Sequence, residues 1–439
     1  MTRPLPELSV PILQTKPDAP ITHIRFYRVI TPLFGGGVAP QQADPITTVR
    51  ASEIRGQLRF WWRATQAGRY GKNGLQQMKR DEDALWGSTS TPSQVQIEVR
   101  KSDEGIIIHR IKVRGKDLFW GDPESPISYG AFPLRKIEGN EPPGGLRFGV
   151  TFELAVTLPR DQKLREQVLA AFWAWETFGG IGARTRRGFG ALYCEKVEGD
   201  ANVGPWHPPR ADKATVDQWL RKQLQQFVAQ GNAPDGVPTL LSEYRIAVNS
   251  TLQSKAKLDE ALKGASSKYQ DWLPALIAWY YPIEKMQQFR QCRRNKGQTY
   301  GRSYWPEPDE IRRRTTGFKG THQELSKTRK FPRAVFGLPI VFQFKDKTID
   351  PPQVTLQGAR HDRLASRLIL RPLRCADGKF VSMALVLNAP TLPPDGLKLA
   401  GANGGQGTGI DTKPLTEAEA NFLPLNGNTD VLKAFLDTL

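Results

Sequence analysis

The stretch DQKLREQVLAAFWAWETFGGIGARTRRGFGALYCEKVE, Asp161 to Glu198, decides how the first half of this chain is read. Asp161 offers a side-chain acceptor ahead of a long run of helix-forming and apolar residues, and Gly179-Gly180 closes that run, so a helix is expected between them. After a loop rich in glycine and arginine, GFGALYCEKVE (188–198) returns as a strand. Upstream, LRFGVTFELAVTL (146–158), SQVQIEVR (93–100) and RIKVRG (110–115) also read as strands. SEIRGQLRFWWRATQAGR (52–69) reads as an earlier helix, with Ser52 as its N-cap and Glu53 in the positive first turn. THIRFYRVITPLF (22–34) alternates apolar and polar residues as an opening strand, ended by Pro32 and by Gly35 to Gly37. The order strand, helix, strands, helix, strand is that of a ferredoxin-like unit, an antiparallel sheet with its helices on one face.

Beyond this unit the text turns loop-like, so the chain divides into a first domain over 1–205, a linker with a short helix over 206–238, and a second domain over 239–439. In the second domain SEYRIAVNS (242–250), AVFGLPIVFQF (334–344), ASRLILRPL (365–373) and FVSMALVLN (380–388) are strand-like. DWLPALIAWYYPIEKMQQFRQCRR (271–294) and DVLKAFLDTL (430–439) are helix-like. The fold class expected is α+β: two ferredoxin-like (RRM-like) domains with insertions, the second more elaborated than the first.

Charge is the strongest global signal. The 439 residues carry 62 Lys+Arg against 44 Asp+Glu, a net +18, and such an excess attracts polyanions, of which nucleic acid is the commonest in a cytosol. Three cysteines (Cys194, Cys292, Cys375) without a CxxC pair point to a reducing, cytoplasmic compartment and away from a structural zinc site. No apolar run approaches the ~20 residues of a membrane span.

The basic charge is concentrated in a few places. On a helix, Ile54, Leu58, Trp61 and Thr65 share one face, and Arg55, Arg59, Trp62, Arg63 and Gln66 the neighbouring one. The first face is expected in the core. The second offers guanidinium forks to phosphates and the Trp62 ring to a base, with Gly56 giving clearance for another backbone. In FGGIGARTRRGFG (178–190) the glycines, Gly180 and Gly182 among them, permit a concave nest of N–H groups, to which Arg184, Arg186 and Arg187 add fixed charge. The pattern is not GxxxxGK[ST] and the loop leads from helix to strand, so a nucleotide-binding P-loop is excluded. In the second half, Arg293, Arg294, Lys296 and Arg302 interleave with Tyr300, Tyr304 and Trp305, a mixture of charge and stacking surface that suits single strands. EIRRRTTGFKG (310–320) is a further basic segment.

IRGQLRFWWRA and GGIGARTRRGFG, with TPLFGGG ahead of the first and LWGSTSTPSQVQIEV behind it, resemble the RAMP superfamily of CRISPR systems. Within that superfamily the chain is similar to the first subunits of the Cmr module of type III-B effector complexes, a likeness that extends to AVFGLPIVF and RLASRLILRPL. The resemblance implies assembly with other Cmr RAMP subunits on a CRISPR RNA, at the end away from the 5′ tag, and help in capturing target RNA. Carried over by position, it makes Arg50, Arg55, Arg59, Trp62 and Arg63 candidate RNA contacts, together with Gly36, Gly37, Gly180, Gly182, Arg184, Arg186 and Arg187; Arg293, Arg294 and Arg302 join them on their own pattern.

Enzyme signals are sparse. The five histidines are dispersed and form no HExxH or deaminase pattern, and His361-Asp362 stands without further ligands. No catalytic residue, metal or cofactor is therefore assigned. Asp44, in the loop after the first strand, lies roughly where the RNA-cleaving subunits of related complexes carry an aspartate, which keeps a RAMP-type endoribonuclease as the alternative; Asp before Pro is also an ordinary turn former. A purely structural subunit whose basic surface meets acidic partner proteins is the third reading.

Overall fold

The opening strand β1 (Thr22–Val29) keeps the expected period of two, and its inward face carries His23, Arg25, Tyr27 and Val29. A cation on that face needs a partner. Glu176 supplies it: Oε1 accepts from Arg25 Nε at 2.9 Å and from the Tyr27 hydroxyl at 2.6 Å, and lies 2.8 Å from Arg25 Nη2. A computed structural model describes the chain apart from residues 1–20, 39–41, 45–46, 138, 143, 200–202, 241–244, 252–271, 296–301, 316–327, 346–347 and 402–408.

After β1 come α1 (Ala51–Gln66), α2 (Leu75–Trp86) and β2 (Gln96–Asp103). An inserted block follows, made of β3 (Ile106–Ile108), β4 (Arg110–Val113), β5 (Lys116–Phe119), the short α3 (Ser128–Ala131) and β6 (Leu146–Phe148). β7 (Thr151–Thr157), α4 (Gln162–Phe178) and β8 (Leu192–Glu198) complete the unit. The sheet runs β2-β7-β1-β8, every pair antiparallel, which is the order 2-3-1-4 for its four strands. α1 and α4 pack together on its inner face, where Trp175 meets Tyr27 edge-on at 5.4 Å and Trp61 lies 5.9 Å from Phe178. Asp161 caps α4 as expected, accepting from the Leu164 amide at 2.9 Å. Ser52 does not cap α1: the helix begins at Ala51 and places Arg50 at the cap without a side-chain bond to the helix.

The stretch expected as a linker contains α5 (Lys213–Phe227), whose Val216, Leu220 and Leu224 belong to the core of the first sheet. β9 (Ile246–Asn249), α6 (Leu273–Gln291), α7 (Glu307–Arg314), β10 (Ile340–Phe342), β11 (Val354–Gly358), β12 (Leu368–Arg374), β13 (Phe380–Val386), β14 (Leu397–Ala400) and α8 (Val431–Leu436) follow. Among the described residues the second half forms two three-stranded sheets, β12-β13-β9 and β10-β11-β14, both antiparallel. The whole is an α+β fold of antiparallel sheets and helices. β12 and β13 read as near-continuous apolar runs because both their faces are covered: Ile369, Leu373, Val381, Met383 and Leu385 join the core of the first unit, while Leu368, Leu370, Ala384 and Val386 pack with α6. Arg371, only 1% exposed, crosses that junction and donates to the carbonyls of Gly179 at 2.7 Å and Leu192 at 3.0 Å.

A candidate RNA interface

The basic helix α1 meets α2, an element the sequence reading did not foresee, and α2 answers its arginines. Arg59 donates to Glu82 at 2.7 Å, to Asp83 at 3.0 Å and to the Gly87 carbonyl at 2.9 Å, and Arg63 shares the Glu82 carboxylate at 2.5 Å. Arg55 reaches the carbonyls of Trp86 and Val95 and the Ser93 hydroxyl. Trp62 is corrected outright. Its ring is 1% exposed, and its indole N–H donates to Gln167 at 3.0 Å, so it cannot serve as a stacking platform. The helix turns far enough to bury both indoles because α4 and α2 flank it on two sides. Gly56 is exposed, and among the described residues no neighbour beyond its own helix approaches the place its side chain would take.

The two glycine runs pack against each other and leave no open nest. A Cβ on Gly36, at φ +90°, would stand 3.1 Å from the Gly182 Cα, and Gly182, at φ +79°, has its own Cβ position 2.9 Å from the Phe34 carbonyl oxygen. These are backbone-to-backbone approaches that a side chain would block. The loop amides are spent internally: Gly182 donates to the Glu53 carboxylate, Ala183 to Phe34 O, Gly188 to Thr185 O and Gly190 to Pro32 O. The anion in the nest is thus Glu53, from the first turn of α1. Gly180 bridges to Ala191, Gly37 donates to the Gln42 carbonyl, and Arg50 donates to the Gly36 carbonyl. The glycines build the junction between the two runs.

The loop arginines differ from those of α1. Arg184, in the left-handed region at φ 58°, lies with its guanidinium 4.5 Å from the centre of the Phe132 ring, and Phe132 is 59% exposed. Arg187 donates to the Leu368 carbonyl at 2.9 Å. Arg290, near the end of α6, donates to the Tyr129 hydroxyl of α3 at 2.8 Å. Burial pushes Arg187 down to about 9 and Arg184 down to about 10; Tyr129 pulls both the other way, and Arg290 lowers both further. Among the described residues no carboxylate acts on either. Three half-buried guanidiniums therefore face one another with a phenol and an exposed ring between them, an arrangement that an incoming phosphate would complete. Arg186 stands apart, donating to the Ser366 carbonyl and lying 5.6 Å from the centre of the Phe60 ring.

In the second half, Arg293 and Arg302 are exposed beside the backbone bridge Arg293–Ser303, while Arg294 donates to Ser303 O at 2.7 Å and stacks on Tyr304 at 4.9 Å. Lys296 and Tyr300 lie outside the described residues. Trp305 is buried and donates to the Phe289 carbonyl at 3.0 Å, so it too leaves the stacking surface. The arginines of 310–320 that are described pair within α7 and with Asp350. Asp44 accepts from the Thr47 amide at 2.9 Å and from its hydroxyl at 3.3 Å.

Sequence reading missed three contributors. Arg290 and Tyr129 carry no motif, and only the fold brings them to the loop. The β4–β5 hairpin was the one with a signal: Arg110, Lys112, Arg114 and Lys116 recur at every second residue and are all exposed, with Arg114-Gly115 turning at φ 49° and 81°. Arg110 is answered by Glu141 at 2.5 Å, which leaves Lys112, Arg114 and Lys116 as the hairpin's charge; the outward face of the first sheet carries ion pairs of its own, Arg28 with Glu195 at 2.7 Å and Lys101 with Glu153 at 3.4 Å.

Residues 26–193 match the RAMP superfamily. The chain is 30% identical to the CRISPR system Cmr subunit Cmr1-1 of Pyrococcus furiosus over 146 residues, 33% of this chain and 40% of that relative's length. It is 24% identical to Cmr1-2 of the same organism over 181 residues, 38% of this chain and 92% of the relative. Among solved structures, it is similar to apo Cmr1 from Pyrococcus furiosus (TM-score 0.46, 16% identity, 86% of this chain and 94% of the other). It is also similar to a chain of the type III-B Cmr-beta complex bound to cognate target RNA and AMPPnP (TM-score 0.45, 12% identity, 95% and 98%). Residues 26–193 are thus similar to the RAMP superfamily, and the chain resembles Cmr1 over part of its length.

Proposed function

We propose that this protein is a non-catalytic, RNA-binding, Cmr1-like subunit of a cytoplasmic type III-B Cmr effector complex. Its partners are CRISPR RNA, target RNA and neighbouring RAMP subunits, and it sits away from the 5′ tag, where it helps capture target RNA. The same reading takes the second half as a ferredoxin-like unit. With α7, β10, β11 and β14 set aside as insertions, β9, α6, β12, β13 and α8 run as strand, helix, strand, strand, helix, and β12-β13-β9 repeats the 2-3-1 order of the first sheet.

The observation that carries the reading is the uncompensated cluster of Arg184, Arg187 and Arg290 beside Tyr129 and the exposed Phe132. Clustered like charges are costly in a folded chain and become favourable when an anion enters. Phosphate and a stackable ring are what a single strand presents, and pairing to the guide leaves the protein little need to read base edges. Arg293, Arg302 and the β4–β5 hairpin add exposed charge for the same strand. The reading gives Asp44 a turn-closing role in place of a catalytic one.

Titration of the full chain with unstructured RNA tests this. If ~6–10 phosphates are engaged, affinity falls by about 10³-fold or more between 50 and 200 mM salt, with weak sequence preference. A flat salt response overturns the reading and favours a structural subunit that meets acidic proteins.

A further inference from the structure

The second half holds a half-open cavity of about 310 Å³ between the strands around β14, the turn before α8 and the segment 330–335. Its walls are largely aliphatic: Val335, Leu392, Leu397, Leu415, Val431 and Leu432. Four cations line it, and Lys413 among them is exposed at its rim. Arg245 is answered by Asp430 at 2.6 Å, and Lys330 by Glu419 at 2.7 Å and the Pro414 carbonyl at 2.8 Å. Arg367 is different. It is 7% exposed, its Nε donates to the Leu387 carbonyl at 2.9 Å, and its two terminal nitrogens hydrogen-bond to none of the described residues. Burial, with Arg245 nearby, holds its pKa below the usual arginine range, and Asp430 pulls it only partly back.

A buried guanidinium with an unused fork at the wall of an aliphatic cavity is a binding group awaiting an acceptor. The planar fork matches a carboxylate in two parallel hydrogen bonds. Asp411 and Asp430 also line the cavity, Asp430 paired with Arg245 and Asp411 3.8 Å from Lys330, so among the described residues the Arg367 fork is the one buried cationic group left to a ligand there and suits a monoanion. No aromatic ring beyond the buried Phe331 lines it, so the body of the ligand is aliphatic and not a nucleobase. We propose that this cavity binds an aliphatic monocarboxylate, with the carboxylate on Arg367 and the branched chain against Val335, Leu392, Leu415 and Val431. The group comes either from a free organic acid or from the last residue of a polypeptide.

Calorimetric titration of the full chain decides. 4-Methylpentanoate is expected to bind, and 4-methylpentanamide to bind at least about tenfold more weakly. Arg367→Gln removes that preference while leaving RNA affinity unchanged, so this site and the RNA reading fail separately. Because Arg367 is buried, a second variant, Leu392→Trp, plugs the cavity from its loop and is expected to abolish carboxylate binding in a folded protein. An acetylated tripeptide ending in leucine separates the sources: tighter binding than the free acid, lost when its terminus is amidated, assigns a polypeptide end, and equal or weaker binding assigns the free acid. Equal binding of acid and amide, inorganic phosphate binding as well as the acid, binding that survives Leu392→Trp, or no binding of the acid at millimolar concentration overturns the proposal.

Discussion

Helix α1 and the loop from Gly179 to Gly190 look alike in sequence, three arginines each with aromatic and glycine neighbours, and they end in opposite electrostatic states. Arg59 and Arg63 close on Glu82 and Asp83, and Arg55 on backbone acceptors and Ser93. Arg184 and Arg187 meet a third arginine, Arg290, and no acid among the described residues. A window of basic residues therefore says little about binding until its counter-ions are known. Those of α1 stand some twenty residues downstream, on a helix whose own sequence is unremarkably amphipathic. The comparison teaches that the unmatched charge, not the densest charge, marks the surface that an external anion completes.

The largest expected effect breaks or keeps the assignment of α1 to the core. Trp61→Ala and Trp62→Ala each open a cavity among buried neighbours and should each cost about 3–5 kcal/mol in denaturant unfolding. If Trp62→Ala leaves stability intact and weakens RNA binding, α1 belongs with the loop and the contrast collapses. Next in size is Glu82→Gln. Glu82 is 4% exposed and serves two arginines, so its loss should cost about 1–3 kcal/mol, discounted for the partial exposure of Arg59 and Arg63. RNA affinity should hold or rise in this variant, since two guanidiniums are released; a fall would show that the closed α1 lattice itself carries the RNA.

The third test sharpens the other side. Arg184→Ala and Arg290→Ala should each lower RNA affinity by about tenfold, the worth of a charge-assisted hydrogen bond. Stability should change by less than about 1 kcal/mol and in the favourable direction, because each removes one of three mutually repelling cations. Marked destabilisation by either would make the cluster a structural clamp like Arg371.

How much of this was legible in sequence follows from where the partners lie. Asp161 and α4 announce themselves locally, by a cap and an apolar run, and so does the strand alternation of β1. Helix phase at the WW pair was not legible, because a helix covered on two sides has a wider buried face than a two-state pattern allows. Close approach of backbone was read for Gly56, and a nest of N–H groups for Gly180 and Gly182; the fold makes its close approach between the glycines of 35–37 and 180–182. Arg290, Tyr129 and Arg367 carry no local signal, since only the fold brings Arg290 to Tyr129 and Arg367 to the cavity wall.

The smallest expected effect lies at Glu53, where the two compared regions touch. Its carboxylate leaves the first turn of α1 and accepts the Gly182 amide inside the glycine loop, the acid that the loop receives among the described residues. Burial raises its pKa above the usual glutamate value of 4.5, while the Gly182 amide and Arg50 pull it back in part. The folded state therefore holds this proton more tightly than the unfolded chain. The stability Glu53 contributes is fully present below pH 4.5 and is lost as the pH rises through its raised folded value. Glu53→Gln keeps an acceptor for Gly182 and cannot ionise, so it should match the parent protein at acid pH and exceed it at neutral pH by less than about 1 kcal/mol. Taking the difference between the two proteins at each pH cancels every other carboxylate. A variant that is less stable than the parent at neutral pH would reverse the sign: the Glu53 charge would then be an asset, held by Arg50 and the loop amide, and the glycine loop would prove to be matched by α1 in the same way that α1 is matched by α2.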